Sequence, residues 1–368
     1  MFRSTSSILA LLAAMTVPAL AADYGDWNDE GDLGTDFRSG YPTEPGDWAG
    51  LGDKDDPIAL EFGVRYWYAK GAQSFTSGSG TVSSNDTSHI GELHLRIEDH
   101  STNTFATAIG GYSMAISGDV STPSGVNPIV DGTVAYAGAD LGWNAWGDNN
   151  GSGIGPMVGY LYWKDAPDSG RFNYSTANSA SDISYDPLTG QTFLPGDSAP
   201  NSIDAHALRL GISGKAKLGD YFDVTATVAG VPYAKVGGTA GIDDPTFSLS
   251  EYGGPAQAPY DLTHNGNISS IRSSPTSIDG WGYGAMAEGF IGVHPVENMT
   301  VRLGGRLWYL QGTADTTYNK IFVGDPGDAD LDGVYDTDPS FVEQGFISTN
   351  NPFHMLRYGI MAEATYSF

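Results

Sequence analysis

Cysteine is absent from this chain. That removes disulfide staples and thiolate metal sites, and it suits folding in an oxidising compartment. Basic residues are scarce: 17 Lys and Arg stand against 44 Asp and Glu, a net charge of −27. Nucleic-acid partners need clustered cationic charge, so that class is excluded. Long apolar runs are missing too. Beyond residue 21 no stretch reaches the length of a transmembrane helix. Hydropathy alone therefore suggests a soluble exported protein. A barrel of strands gives the same appearance, because only alternate residues meet lipid.

What is present begins with an export signal. Arg3 supplies a positive start, Ile8 to Met15 form a short apolar stretch, and Ala19-Leu20-Ala21 is an A-x-A cleavage site. Residues 1–21 are thus expected to be a signal peptide, with the mature chain starting at Ala22. Residues 23–57 hold eleven Asp and Glu against Arg38 and Lys54. The segment 22–57 reads as an acidic flexible periplasmic tail. Residues 58–368 are the folded part.

The last fourteen residues set the pattern. Leu356, Tyr358, Ile360, Ala362, Ala364, Tyr366 and Phe368 alternate with Arg357, Gly359, Glu363, Thr365 and Ser367. A period of two with one apolar and one polar face is that of a strand. Ile58 to Tyr68 and Glu92 to Glu98 alternate in the same way. Continuing along the chain predicts ten strands, near 58–70, 89–99, 104–116, 132–145, 154–163, 203–216, 221–236, 280–293, 299–313 and 355–368. The strand at 104–116 has the least distinct faces. Pro232 marks a bulge or the end of embedded pairing. Tight turns (Ser101–Asn103, Asp148–Gly151, Lys217–Asp220, His294–Asn298) alternate with long connections near 71–88, 117–131, 164–202, 237–279 and 314–353. The expected fold is all-β: a transmembrane antiparallel up-and-down barrel of about ten strands. Short turns would be periplasmic, long loops extracellular, and both termini periplasmic.

If the aliphatic face meets lipid, the other lines the lumen. The inward set is then Glu61, Arg65, Glu92, His94, Arg96, Glu98, Asp140, Arg209, Lys215, Asp223, Glu288, Arg302, Arg306, Arg357 and Glu363. Similar numbers of each sign in a narrow space predict a cross-strand ion-pair network. A wide diffusion pore needs ~16–18 strands and is excluded. Trp143, Tyr160, Tyr162, Tyr309, Tyr358 and Tyr366 suit interfacial girdles. Tyr366 and Phe368 form an aromatic terminus similar to the last strand of outer-membrane proteins, which the barrel-assembly machinery reads. Membrane lipid and lipopolysaccharide are the expected surroundings, and an unidentified surface or host ligand remains open.

Val64 to Tyr68, Ala137 to Asn144, Gly159 to Tyr162, Ala207 to Gly211, Gly280 to Tyr283 and Gly304 to Tyr309 together resemble alphaproteobacterial outer-membrane β-barrel proteins with omptin-like architecture. The resemblance runs from about 58 to 368. Omptins are surface endopeptidases that set an Asp/His pair against an Asp pair at the barrel rim. The one Asp-x-His here is Asp204-Ala205-His206, at the start of the sixth strand. Asp261 and His264 in the fourth long loop have the wrong spacing, and Asp119 and Asp131 in the second are far apart. The protease site is therefore not carried over, and Asp204 and His206 read as a solvated rim pair.

One further motif lies in the fifth long loop. Asp328, Asp330, Asp332 and Asp336 surround Gly333 in a D-x-D-x-D-G-x-x-D run that resembles calcium loops. Pro339 occupies the place of the usual bidentate Glu, so weak Ca2+ binding is the expectation, at ~10⁻⁴–10⁻³ M. The leading functional reading is a non-enzymatic surface barrel, structural or adhesive. A narrow selective channel and an omptin-type endopeptidase are the alternatives.

Overall fold

In the computed structural model, ten long strands form the ring: β1 (Ile58–Ser77), β2 (Gly80–Asp99), β3 (Thr104–Thr122), β4 (Asp131–Trp143), β5 (Ser152–Asp168), β6 (Ser202–Leu218), β7 (Phe222–Ala240), β8 (Thr276–Val296), β9 (Met299–Val323) and β10 (Phe341–Ser367). The structure describes residues 58–77, 80–123, 125–148, 152–168, 171–179, 182, 184–186, 191–193, 196–219, 221–240, 270–296, 298–323 and 340–368. Each strand pairs antiparallel with its neighbours in sequence, and β10 returns to pair with β1. Closure leaves the ring without an edge, so each of the ten strands has a ladder partner on both sides. The Phe368 amide donates to the Leu60 carbonyl at 2.9 Å, so Ile58 and Phe368 lie at the same end of the barrel. An even strand count requires this.

Alternation sorts the side chains as the sequence predicts. Phe62, Val64, Leu93, Leu141, Val158, Leu210, Val228, Ile291, Leu303 and Ile360 point outward and are exposed. Water would penalise so much apolar surface; a lipid belt would not. Trp143, Trp146, Tyr221 and Tyr366 ring this belt near the termini, and Tyr68, Tyr160, Tyr233, Trp281 and Tyr358 ring its other edge. Tyr162 and Tyr309 face the same way, half-buried.

The turns at the terminal end follow local chemistry. Asp99 Oδ1 accepts from the Ser101 amide (2.8 Å) and hydroxyl (2.6 Å), and Asn103 takes a left-handed φ of 55°. Gly219 does the same in the corner between β6 and β7, at φ 76°. Near Pro232 the register slips between Val231 and Ala234, the bulge expected there. The strand at 104–116 forms despite its indistinct faces.

The long connections differ from the expectation. Residues 71–88 are not an open loop: β1 and β2 remain paired from Gly71↔Asp86 to Ser77↔Gly80. Similarly, β3 runs to Thr122 and Gly125–Pro128 folds back on it. In the third connection β5 reaches Asp168, and Arg171–Ser175 pairs with Gly196–Pro200. The last hairpin extends to Val323↔Phe341. Above the aromatic ring the outward face meets water while the inward face (Gln73, Phe75, Ser84, Asp86) stays buried, so the outer row has no need of apolar side chains. The ladder still satisfies the backbone, and pairing continues without a sequence period to announce it.

Candidate functional site: the barrel lumen

Charged residues of β1, β2, β8, β9 and β10 share one face and are carried inward by the pleat. Arg302 of β9 is the hub nearest the termini. Its guanidinium donates to Glu61 (2.8 Å), Glu363 (2.6 Å) and Asp223 (3.1 Å). His294 Nε2 lies 3.0 Å from the same Asp223. One layer further along, Arg65 bonds Glu92 at 2.9 Å and also Glu363, while Arg306 bonds Glu92 and Glu288. To the side, Arg209 meets Asp140 at 3.0 Å, and Arg96 and Lys215 share Glu98. These ion pairs bring the charged residues of the set together on the inner face of the strands. All but His94 are paired there. A small chamber of about 70 Å³ remains among Glu61, His94, Arg209 and Lys215.

Buried aromatic rings pack together inside the ring above the second ionic layer. Trp308 packs edge-on against Tyr136 (4.8 Å), Trp67 (5.1 Å) and Trp163 (5.5 Å). The Arg306 guanidinium lies 5.0 Å from the Trp308 ring and donates to the Tyr136 hydroxyl at 3.1 Å. Tyr136 in turn donates to Glu92. The inward charge set omits these rings. Their signal was present, since Trp67 shares the parity of Glu61 and Arg65, and Trp308 that of Arg302 and Arg306.

A third layer caps the rings. Arg357 is fully buried and grips Asp86 through Nη1 and Nη2, both at 2.9 Å. Its Nε reaches Asp165 at 3.1 Å and its Nη2 the same carboxylate at 2.8 Å. Ser88 accepts from Nη1 at 2.8 Å. Arg357 was predicted inward, but its partners were not, because Asp86 and Asp165 fall in segments read as loops. They are two carboxylates at the rim on opposite strands, the kind of pair that activates water in an aspartic site. Here one guanidinium spans both, so neither is free to act as a base. Among the described residues, no histidine is bonded to either carboxylate.

Asp204 and His206 stand elsewhere. Both face outward on β6, with His206 Nε2 3.6 Å from Asp204 and its Nδ1 2.5 Å from the Tyr160 hydroxyl. They are a rim pair at the aromatic girdle, remote from the lumen. Asp261, His264, Asp328, Asp330, Asp332 and Asp336 lie outside the described residues. Among those described, Glu61, His94 and Glu363 bring one ligand atom each within 4.8 Å of one another. Arg302 and Arg65 already bond those glutamates. A cation there would face two guanidiniums, which fits a metal poorly.

No family model matches the chain in sequence, and no curated protein does. Solved structures do resemble it. The outer membrane protease OmpT from Escherichia coli aligns over 86% of this chain and 98% of its own, with TM-score 0.50 and 10% identity. A Bordetella autotransporter β domain (BrkA; TM-score 0.28, 11% identity) covers 85% of this chain and 100% of its own. A Pseudomonas aeruginosa FadL homologue (TM-score 0.27, 10% identity) covers 84% and 90%. At such identity the likeness to OmpT speaks for fold alone. With its closed ring of ten antiparallel strands and outward apolar belt, the chain has the fold of an outer-membrane β-barrel.

Proposed function

We propose that the protein is an integral outer-membrane barrel with a closed lumen, a non-catalytic scaffold that holds long acidic loops at the cell surface. The observation that carries this reading is the filling of the lumen. Arg357 with Asp86 and Asp165 caps four aromatic rings, which rest on the layers of Arg306 and Arg302. Each layer consumes the groups a pore or an active site would need. Planar-bilayer recording of the purified, lipid-folded protein tests it: no steady conductance is expected. Regular single-channel steps would instead support a narrow selective channel. The endopeptidase reading makes its own demand, cleavage of a dibasic peptide by the same preparation, and the spanned Asp86–Asp165 pair predicts none.

The sequence spacing of Asp328, Asp330, Asp332 and Asp336 adds weak Ca2+ binding to this reading. Millimolar Ca2+ should then protect the fifth connection from protease in the wild type but not in Asp330→Ala/Asp332→Ala. Equal protection of both proteins removes the motif from the account.

A further inference from the structure

Facing outward, strands β8, β9, β10 and β1 carry an indentation of about 720 Å³. Register places its residues in two rows. Ala287, Leu307, Tyr358 and Lys70 lie side by side, and so do Gly289, Gly305, Ile360 and Tyr68. The second row dips because two of its four members lack a side chain. Leu307, Ile360, Tyr68 and Tyr358 wall the dip, so its lining is apolar. Tyr68 is itself braced: it packs against His89 at 5.3 Å, and His89 Nδ1 lies 2.5 Å from the Tyr66 hydroxyl.

Lys70 stands at the head of this groove, exposed, at the water edge of the aromatic ring. It pairs across the sheet with Thr87 and Tyr358, neither of them charged. Tyr66-Trp67-Tyr68-Ala69-Lys70 recurs as Tyr160-Leu161-Tyr162-Trp163-Lys164, and each middle tyrosine faces a histidine, His89 or His206. In the second copy Lys164 sits opposite Asp204, a carboxylate that answers its charge. In the first copy that place is taken by Thr87. Among the described residues the two constellations differ in what stands opposite the lysine, Thr87 or Asp204, and an apolar groove opens beneath Lys70.

We propose that this face binds an anionic, phosphate-bearing membrane lipid, with one acyl chain in the Gly289/Gly305 groove and the phosphate on Lys70. Apolar walls and a floor of glycine suit a hydrocarbon chain. An ammonium with no carboxylate partner among the described residues, beside tyrosine at the interface, suits a phosphate headgroup. The proposal rests on the membrane reading above. Retention of a compact, heat-modifiable barrel in detergent tests that reading separately, before any lipid is added.

The test is native mass spectrometry of the full folded barrel titrated with phosphatidylglycerol or phosphatidylcholine. Wild type should retain bound phosphatidylglycerol over phosphatidylcholine. Lys70→Ala should lower phosphatidylglycerol retention about fivefold, the weight of one lysine near an anionic surface, and erase the headgroup preference. Lys164→Ala should change neither. A Cβ at Gly289 meets nothing closer than 3.7 Å, so Gly289→Leu can fill the groove without disturbing the sheet. It should lower retention of both lipids. Equal loss from Lys70→Ala and Lys164→Ala would overturn the site, as would unchanged binding in Gly289→Leu. Competition by inorganic phosphate alone, or a dimer peak in place of lipid adducts, would show that a lipid is the wrong occupant.

Discussion

Arg306 sits where carboxylates, a phenol and indole rings converge, and it shows what a single residue does in this barrel. Its partners Glu92 and Glu288 pair with Arg65 as well, so no ion pair here stands alone. Truncation to Ala leaves buried carboxylates undercompensated and removes the ring contacts. Arg306→Ala should destabilise the barrel by about 3–5 kcal/mol, the cost of breaking a buried pair from one side. Urea unfolding in detergent, followed by tryptophan fluorescence, measures it; an unchanged midpoint would remove the network as a source of stability. Arg302→Lys should recover little of the loss in Arg302→Ala. A lysine is a point charge and cannot present the fork that reaches Glu61, Asp223 and Glu363 together. Parity along each strand made nearly all of these charges legible in the sequence. Their pairing was not, because Arg302 and Glu61 are 241 positions apart and meet only when the ring closes.

Strands behave differently below and above the aromatic ring. Below it, lipid on one side and lumen on the other impose a period of two, and the strands could be read. Above it, outward residues such as Lys235 and Asp279 are charged and paired with each other, and the period fades. The upper hairpins therefore owe their order to pairing begun lower down. Replacing residues 317–347 with a tight turn should leave the barrel folding and its heat-modified gel shift intact, since the lumenal layers all lie below. Loss of the shift would mean that the last hairpin helps to hold the ring. The terminal end of β10 is the opposite case. Phe368 closes the ring through its amide on Leu60 and packs its ring on Tyr366 at 4.9 Å. Deleting Phe368 should slow or reduce assembly in the outer membrane, read as a smaller heat-modifiable fraction in membrane preparations.

At the scale of the whole molecule, the proposed closure of the lumen predicts an electrically silent protein. Arg357→Ala should not by itself produce a conductance, because the Trp67, Tyr136, Trp163 and Trp308 layer lies directly beneath it. Arg357→Ala with Trp308→Ala removes both closures and should admit ions; silence of the double variant would place the barrier in the Arg302 and Arg306 layers.

Sequence alone determined that the chain is a barrel, its strand number of about ten, and the two-faced period of most crossings. The first two follow from the third, a local period that lipid on one side imposes. Only the tertiary structure decided that Asp86 and Asp165 clasp Arg357 and that four aromatic rings meet over Arg306. It also decided that Lys70 overlooks a groove while Lys164 faces Asp204. Those are facts of register between strands. Register depends on how the ring closes, and no single strand carries that information.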